Sequence, residues 1–141
     1  MAIFFQSDIS SFKLSNKNKL KGFIKEMLYK EGFSLGTINF RFCDDAEILE
    51  VNRNFLNHNY YTDVITFPLN EDGDKTDADI IISVDTVLSN SLVQKLPFTQ
   101  ELHRVIIHSI LHLCGFGDKT TKEIKLIRKK EDEYLSLYFD Q

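Results

Sequence analysis

The chain has 141 residues, of which 43% are hydrophobic and 27% charged, and its formal net charge is −4. This length is enough for one domain with a substantial apolar core, and the composition is ordinary for a globular protein. No apolar run approaches the length of about eighteen residues that a membrane helix needs. The acidic balance argues against non-specific coating of nucleic acid.

The opening MAIFFQSDIS has no basic segment ahead of an apolar one, so it does not look like a secretion signal. The two cysteines, Cys43 and Cys114, do not make a disulfide framework in a chain of this size. We therefore expect a cytoplasmic protein with reduced cysteines, no membrane association and no disulfide-linked partner.

The first part of the chain predicts a strand, a helix and a second strand. AIFFQ is a short apolar run that suits an edge strand, and TINFRFC alternates apolar with polar residues, as a half-buried strand does. Between them, residues 15–32 form an amphipathic pattern that stops at Gly32. The apolar face of this predicted helix comprises Leu20, Phe23, Ile24, Met27 and Leu28.

The middle of the chain predicts a second helix and two further strands. DDAEILEVNRNFL is helical, since Asp44 and Glu47 have capping-box spacing and Ile48, Val51 and Phe55 repeat at helical intervals. A polar loop, NHNYYT, separates this helix from the strand DVITFPL. The acidic stretch NEDGDKTDAD predicts another loop, followed by the strand IIISV.

Three helices are predicted in the last part. DTVLSNSLVQKL is a short helix with Asp85 as its cap, and TQELHRVIIHSILHLCG is a longer one that Thr99 caps and Gly115 ends. Thr120 and Glu123 have capping-box spacing and begin the last helix. The buried stripes of the last two helices comprise Leu102, Val105, Ile106, Ser109, Ile110 and Leu113, then Ile124, Ile127, Tyr134, Leu135 and Tyr138.

These elements predict one α+β domain. A small mixed β-sheet of three to four strands packs with about four to five α-helices, and the residues of chemical interest lie at the end of a central helix.

The stretch HSILHLCGFGD (108–118) contains the strongest chemical signal. His108 and His112 are four residues apart, so on a helix they project side by side. Gly115 can adopt a positive φ and reverse the chain, which brings Asp118 back over the same face. Two imidazoles and one carboxylate are a three-ligand set for one zinc ion, with the fourth position left to water, as in catalytic sites.

A histidine pair at this spacing is weak by itself, and a lone aspartate after a helix is usually a cap or turn residue. The combination of the four residues favours a metal site. The spacing resembles that of zinc metalloproteases, but Ser109 stands where their general-base glutamate would. This departure argues against peptide hydrolysis. A metal-bound water, whose pKa falls to about 7, would suit phosphodiester cleavage instead.

Three stretches together resemble the YbeY family. HSILHLCGFGD is similar to its His-Gly-x-Leu-His-Leu-x-Gly-Tyr-x-His signature, VNRNFLNHNYYTDVITFP to a second motif ending in Pro-Thr-Asp-Val-Leu-Ser-Phe-Pro, and ADIIIS to a Gly-Asp-Ile-x-Ile-Ser strand. Their order and spacing agree with the family over roughly residues 35–135. The resemblance implies a metal-dependent hydrolase domain, assigned here to residues 1–141.

The resemblance further implies a cytoplasmic zinc endoribonuclease that is specific for single-stranded RNA. Such an enzyme matures ribosomal RNA, notably at the small-subunit 3′ end, and has ribosomal RNA and the small subunit as partners. Asp118 stands where the family usually has histidine, which adds negative charge and makes a metal-bound water a weaker acid. Leu56 stands in place of a family arginine thought to contact RNA phosphate.

Three further residues are candidates for the site. Thr62 and Asp63 match a family Thr-Asp pair and are either cleft residues or a turn cap. Glu131 falls on the buried stripe of the last helix. It either hydrogen-bonds a ligand histidine or forms a salt bridge with a lysine or arginine.

A cluster of basic residues follows the site, and two rival functions stay open. The cluster favours a solvated helix face, although its members nearest Asp118 could attract phosphate. The rivals to RNA cleavage are a peptidase-like zinc hydrolase, which Ser109 disfavours, and a ribosome-assembly factor with a largely structural metal, which Leu56 favours. The basic residues are Lys119, Lys122, Lys125, Arg128, Lys129 and Lys130.

Overall fold

The computed structural model describes residues 2–56, 62–70 and 75–140. Within these residues there are four strands and five helices, so the predicted α+β class is confirmed. The strands are β1 (Ala2–Ser7), β2 (Leu35–Cys43), β3 (Val64–Pro68) and β4 (Thr76–Ser83). The helices are α1 (Lys17–Lys30), α2 (Asp45–Phe55), α3 (Val84–Gln94), α4 (Phe98–Leu113) and α5 (Thr121–Phe139).

The four strands form one mixed sheet in the order β1-β2-β4-β3. β1 pairs with β2 in parallel, as β2 does with β4, whereas β3 pairs with β4 antiparallel. The N-terminal strand is therefore an edge strand, as its sequence predicts. β3 is the opposite edge and contacts α4, so the chain that enters β3 lies beside the helix that carries the two histidines.

Alternation along the strands sorts side chains onto two faces of the sheet. Phe40, Ile80 and Ile82 are fully buried in the main core, together with residues of α1, α4 and α5. Ile81 points the other way and packs with Ile65 beneath α2. Full burial of each such side chain contributes about 1.5–3 kcal/mol, so the packing of α4 onto the sheet fixes the position of its C-terminal end.

The structure confirms the predicted helices and two of their caps. The residues of α1 that are buried are those of its predicted apolar face, and Gly32 follows the helix with a φ of 90°. The Asp44 side chain accepts a hydrogen bond from the Glu47 amide at the start of α2. Thr120 and Glu123 form a complete capping box at the start of α5.

Two predicted caps are wrong. α3 is capped by Ser83, whose hydroxyl accepts from the Thr86 amide, while the carboxylate of Asp85 instead accepts from the amide of Asp45. α4 begins after Pro97 rather than Thr99. Proline suits that position because its fixed φ leads into a helix.

The loop predicted for residues 70–79 is wrong for its last four residues, because β4 begins at Thr76. Residues 71–74 of that stretch lie outside the described residues. The acidic residues of β4 are tolerated because β2 supplies hydrogen-bond donors. Asp77 accepts from the Thr37 amide at 2.6 Å, and Asp79 accepts from the Asn39 side chain at 3.1 Å.

Four residues of the predicted apolar helix faces are not fully buried. Ile124 is 50% exposed and Phe55 is 72% exposed, while Val51 and Leu113 are half-buried. Phe55 and Ile124 lie near the ends of their helices, where fewer neighbouring elements cover them.

Candidate metal centre

The C-terminal turns of α4 carry the two histidines of the predicted site. The rings of His108 and His112 lie with centroids 4.8 Å apart and planes at 85°. Gly115 follows the helix with a φ of 96°, and the amides of Gly115 and Phe116 donate back to the carbonyls of His112 and Leu111. The positive φ turns the chain back, as the glycine predicts.

The reversed chain brings Asp118 onto the two rings. Asp118 Oδ2 lies 3.1 Å from His112 Nε2 and 3.5 Å from His108 Nε2. One ligand atom from each of the three residues lies within 4.8 Å of the others. Among the residues that the structure describes, no other group of three His, Cys, Asp or Glu side chains converges in this way. The donor set, two imidazole nitrogens and a carboxylate oxygen, suits a divalent ion such as zinc.

Glu131 of α5 holds His108 from behind. Its Oε2 lies 2.7 Å from His108 Nδ1, so the imidazole N–H points to the carboxylate and Nε2 faces Asp118. Its Oε1 accepts from Arg104 at 3.1 Å and lies 3.4 Å from Arg128. Glu131 therefore makes both contacts that the sequence offers as alternatives, a hydrogen bond to a histidine of the cluster and a salt bridge to an arginine.

The charges in this pair stabilise each other. Burial disfavours the ionised forms, but the hydrogen bond between the two side chains raises the pKa of His108 and lowers the pKa of Glu131. Arg104, whose side chain is 12% exposed, also forms an ion pair with Asp132. Glu131 is thus held as a carboxylate, the form that accepts the imidazole N–H.

A second glutamate of α5 holds the loop that carries Asp118. One oxygen of Glu123 accepts from the amides of Lys119 and Thr120, at 3.2 and 3.0 Å. Gly117 makes room for this carboxylate, since a Cβ at that position would lie 2.8 Å from the Glu123 carboxyl carbon. The sequence predicts the cap between Glu123 and Thr120, but not its contact with Gly117.

The cluster lies where two cavities meet. One, of about 400 Å³, is bounded by the end of α2 and by β3, and His108, His112 and Asp118 line it. The other, of about 250 Å³, lies between α4 and α5, and its lining includes His108 and Asp118 again. A group bound at the cluster would therefore be reached from both sides.

The structure places Thr62 and Asp63 in the larger cavity, and Asp63 also lines the smaller one. Burial raises the pKa of Asp63, although nearby His108 lowers it in part. The Thr62 hydroxyl lies 3.4 Å from the Val64 carbonyl, so Thr62 is both a turn residue and part of the cleft wall. Leu56 lines the same cavity, and its side chain offers no hydrogen bond to a ligand.

Two other polar residues of α4, Ser109 and His103, are buried in the core rather than in the cluster. Ser109 is fully buried, and its hydroxyl donates to the Ile106 carbonyl at 2.6 Å. His103 is buried in the core, where it packs on Tyr138, and burial lowers its pKa. His58 lies outside the described residues.

The cysteines are not paired with each other, and the described helices do not have the length and polarity of membrane spans. Cys43 and Cys114 are free thiols, and burial raises the pKa of each to about 12. Among the described residues, every helix is too short or too polar to cross a membrane.

Comparison with known proteins gives a consistent result. Residues 4–138 match the sequence model of a family described as Endoribonuclease YbeY. A protein named Endoribonuclease YbeY from Cytophaga hutchinsonii is 42% identical over 135 residues, which cover 96% of this chain and 94% of that protein. Another with the same name, from Phocaeicola vulgatus, is 48% identical over 121 residues, covering 86% and 87%.

A solved structure has a similar fold. The solution structure of a Thermotoga maritima protein superposes with a TM-score of 0.66 and 26% sequence identity, covering 99% of this chain and 90% of that one.

Proposed function

The chain belongs to the YbeY endoribonuclease family, and from this premise we propose that it is a metal-dependent endoribonuclease. Its substrate is single-stranded RNA, and its role is the maturation of ribosomal RNA, including the small-subunit 3′ end. It acts in the cytoplasm with the small ribosomal subunit as partner. The observation that carries the proposal is the cluster of His108, His112 and Asp118 at the meeting point of two cavities.

The metal we propose is zinc, one ion per chain, held by His108 Nε2, His112 Nε2 and Asp118. Zinc favours imidazole nitrogen with carboxylate oxygen, and three protein ligands with one open position are typical of its catalytic sites. When bound, the ion supplies a Lewis acid that makes water more acidic and offsets negative charge on a phosphoryl oxygen.

The residues of the chain prepare this site. Glu131 fixes the tautomer and orientation of His108, because it accepts the Nδ1 hydrogen at 2.7 Å. Arg104 keeps Glu131 ionised and in place. Asp63 lies in both cavities, where its carboxyl group contributes to binding or orienting the substrate.

The test measures metal and activity together. Purified wild type and His112→Ala are analysed for zinc, and both are assayed for cleavage of a single-stranded RNA. We expect about one zinc per chain in the wild type, and loss of both zinc and cleavage in the variant. His103→Gln is the matched control, since His103 lies on the same helix but in the core, and it should retain zinc. Equal zinc content in the wild type and His112→Ala would refute the ligand set.

The products distinguish two routes of cleavage. A 2′,3′-cyclic phosphate end indicates attack by the neighbouring ribose hydroxyl, and its absence indicates attack by water.

An assembly factor with a largely structural metal is a second candidate function. Leu56 favours it, because this apolar side chain lines the cavity where an arginine would contact phosphate. Zinc-loaded protein that binds small ribosomal subunits but leaves single-stranded RNA intact would support this candidate over the nuclease.

A peptidase-like zinc hydrolase is disfavoured by Ser109. This residue is buried and bonded to the Ile106 carbonyl, so it offers no base beside the cluster. Digestion of casein in parallel with RNA tests this alternative.

A further inference from the structure

The first half of α5 carries an exposed basic surface next to the metal centre. Six of the seventeen Lys and Arg residues of this acidic chain lie between residues 119 and 130. Four of them are exposed on one side of α5, and we call them the α5 basic surface: Lys122, Lys125, Arg128 and Lys129. Acidic residues dominate only further along the helix, from Glu131 onward. The positive charge is therefore concentrated at the end of α5 that adjoins Asp118.

The lysines of this surface are not used to hold the fold together. Lys130, which is half-buried, forms an ion pair with Glu31, and Arg128 lies 3.4 Å from Glu131. Within the described part of the chain, no ion pair or side-chain hydrogen bond occurs for Lys122, Lys125 or Lys129. Their charges remain available to an external partner.

The surface is continuous with the metal centre. Arg128 and Ile124 line the cavity between α4 and α5, in which His108 and Asp118 also lie. The same two residues border a shallow outer groove together with Lys125 and Lys129, and Asp132 and Glu133 line the far end of this groove in the helix sequence. A bound polymer that leaves the cluster across Ile124 and Arg128 would therefore contact Lys125 and Lys129 next.

The described lining of the larger cavity differs from the α5 side in charge. No lysine or arginine is among the described residues that line the larger cavity, where Leu56 occupies the arginine position of the family. If an anionic polymer occupies the cleft, α5 supplies the cations. Lys122 and Lys129 are seven residues apart, so the surface extends about 10 Å along the helix, which is enough for several phosphates.

We propose that the α5 basic surface binds backbone phosphates of single-stranded RNA while an adjoining segment of the same RNA lies in the cavities lined by His108 and Asp118. This proposal rests on the proposed function and adds the path of the substrate. Flexible lysines bind phosphate without reading sequence. The half-exposed Ile124 offers an apolar contact for a base at the point where the strand leaves the cleft.

The experiment measures how RNA binding depends on salt. A fluorescein-labelled oligouridine of about twelve nucleotides is titrated with full-length zinc-loaded protein between about 50 and 200 mM salt. The variant is Lys122→Gln/Lys125→Gln/Lys129→Gln, which leaves Arg128 and Glu131 intact. The matched control removes three other exposed lysines, Lys13→Gln/Lys17→Gln/Lys25→Gln, none of which lines either cavity of the metal centre. Anisotropy gives the affinity, a gel shows whether the RNA has been cut, and elemental analysis gives the zinc content.

We expect the α5 variant to lower the slope of log affinity against log salt by about 2, since each phosphate contact on a single strand contributes about 0.7. Affinity at the lowest salt should fall at least about tenfold, with the zinc content unchanged. The control should keep the wild-type slope.

A wild-type slope in the α5 variant, or an equal loss in both variants, would overturn the proposal. The first result would show that the surface takes no part in RNA binding, and the second would indicate a diffuse effect of net charge. Because binding and cutting are scored separately, wild-type protein that binds RNA through these lysines but never cuts it refutes the proposed function alone.

Discussion

Two glutamates of the same helix, eight residues apart, hold opposite sides of the metal cluster in different ways. Glu131 is 3% exposed and contacts a side chain of the cluster directly, at 2.7 Å from His108. Glu123 lies at the exposed start of α5 and binds the backbone next to Asp118, at Lys119 and Thr120. One glutamate orients a ring inside the protein, while the other shapes a loop at its surface.

The difference in burial predicts a difference in importance. A buried carboxylate exerts its charge in a medium of low polarity, so its loss leaves Nδ1 of His108 without its partner and removes one of the carboxylates paired with Arg104. Water competes with an exposed carboxylate for the same amides, so the hydrogen bonds of such a carboxylate contribute less stability. The comparison predicts that the metal centre depends strongly on Glu131 and weakly on Glu123.

The largest effect is expected for Glu131→Gln. The amide keeps the size of the side chain but removes the charge that orients His108 and pairs with Arg104. Zinc affinity, measured by competition with a chromogenic chelator, should fall about 10- to 100-fold. Glu133→Gln, an exposed neighbour on α5, should bind zinc like the wild type. A Glu131→Gln affinity within about twofold of the wild type would remove the basis of the comparison.

The same contrast explains how much the sequence could predict. His108, His112, Gly115 and Asp118 fall within eleven residues, so helix geometry and one glycine bend are enough to bring the cluster together. Glu131 is 23 residues from His108, and its contacts with His108 and Arg104 depend on how α5 crosses α4. The sequence pattern allows a hydrogen bond to a histidine or a salt bridge as alternatives, and the structure shows both contacts.

Helices and strands were predictable where their sequence pattern is local. Errors arose where contacts with residues distant in sequence determine the structure. The apolar face of α1 repeats regularly, so the helix and its core residues were predicted correctly. The sequence predicts a loop at the beginning of β4 because Asp77 and Asp79 are acidic. In the fold, their carboxylates meet donors on β2, which no local pattern reveals.

A smaller effect is expected for Gly117→Ala. The new methyl group would collide with the Glu123 carboxylate, which must move and release the amides beside Asp118. Zinc affinity should fall a few-fold, and the melting temperature should fall by a few degrees. Gly22→Ala is the control, since a methyl group there meets open space on α1 and should be neutral or stabilising.

Removing the glutamate itself tests this explanation. Glu123→Ala should lower zinc affinity less than Glu131→Gln does, because only the loop is loosened. In the Glu123→Ala background, Gly117→Ala should cost nothing further, since its collision partner is gone. Additive losses in the double variant would mean that Gly117 is required for another reason, such as its backbone conformation.

The smallest expected effect is the pH dependence of the stability that Glu123 contributes, measured independently of Glu131. Hydrogen bonds from the Thr120 and Lys119 amides lower the pKa of Glu123 below its usual value of 4.5. A carboxylate whose pKa is lowered by folding stabilises the fold above its unfolded pKa, and that contribution is lost as the pH falls through the folded value. The melting temperatures of the wild type and Glu123→Gln, measured from pH 7 down to about 3.5, should therefore differ most near neutrality and converge below about 4.5. Both proteins contain Glu131, so its contribution cancels in the difference between their melting temperatures. A gap that stayed constant with pH would mean that the amides bind the Glu123 side chain equally well without its charge.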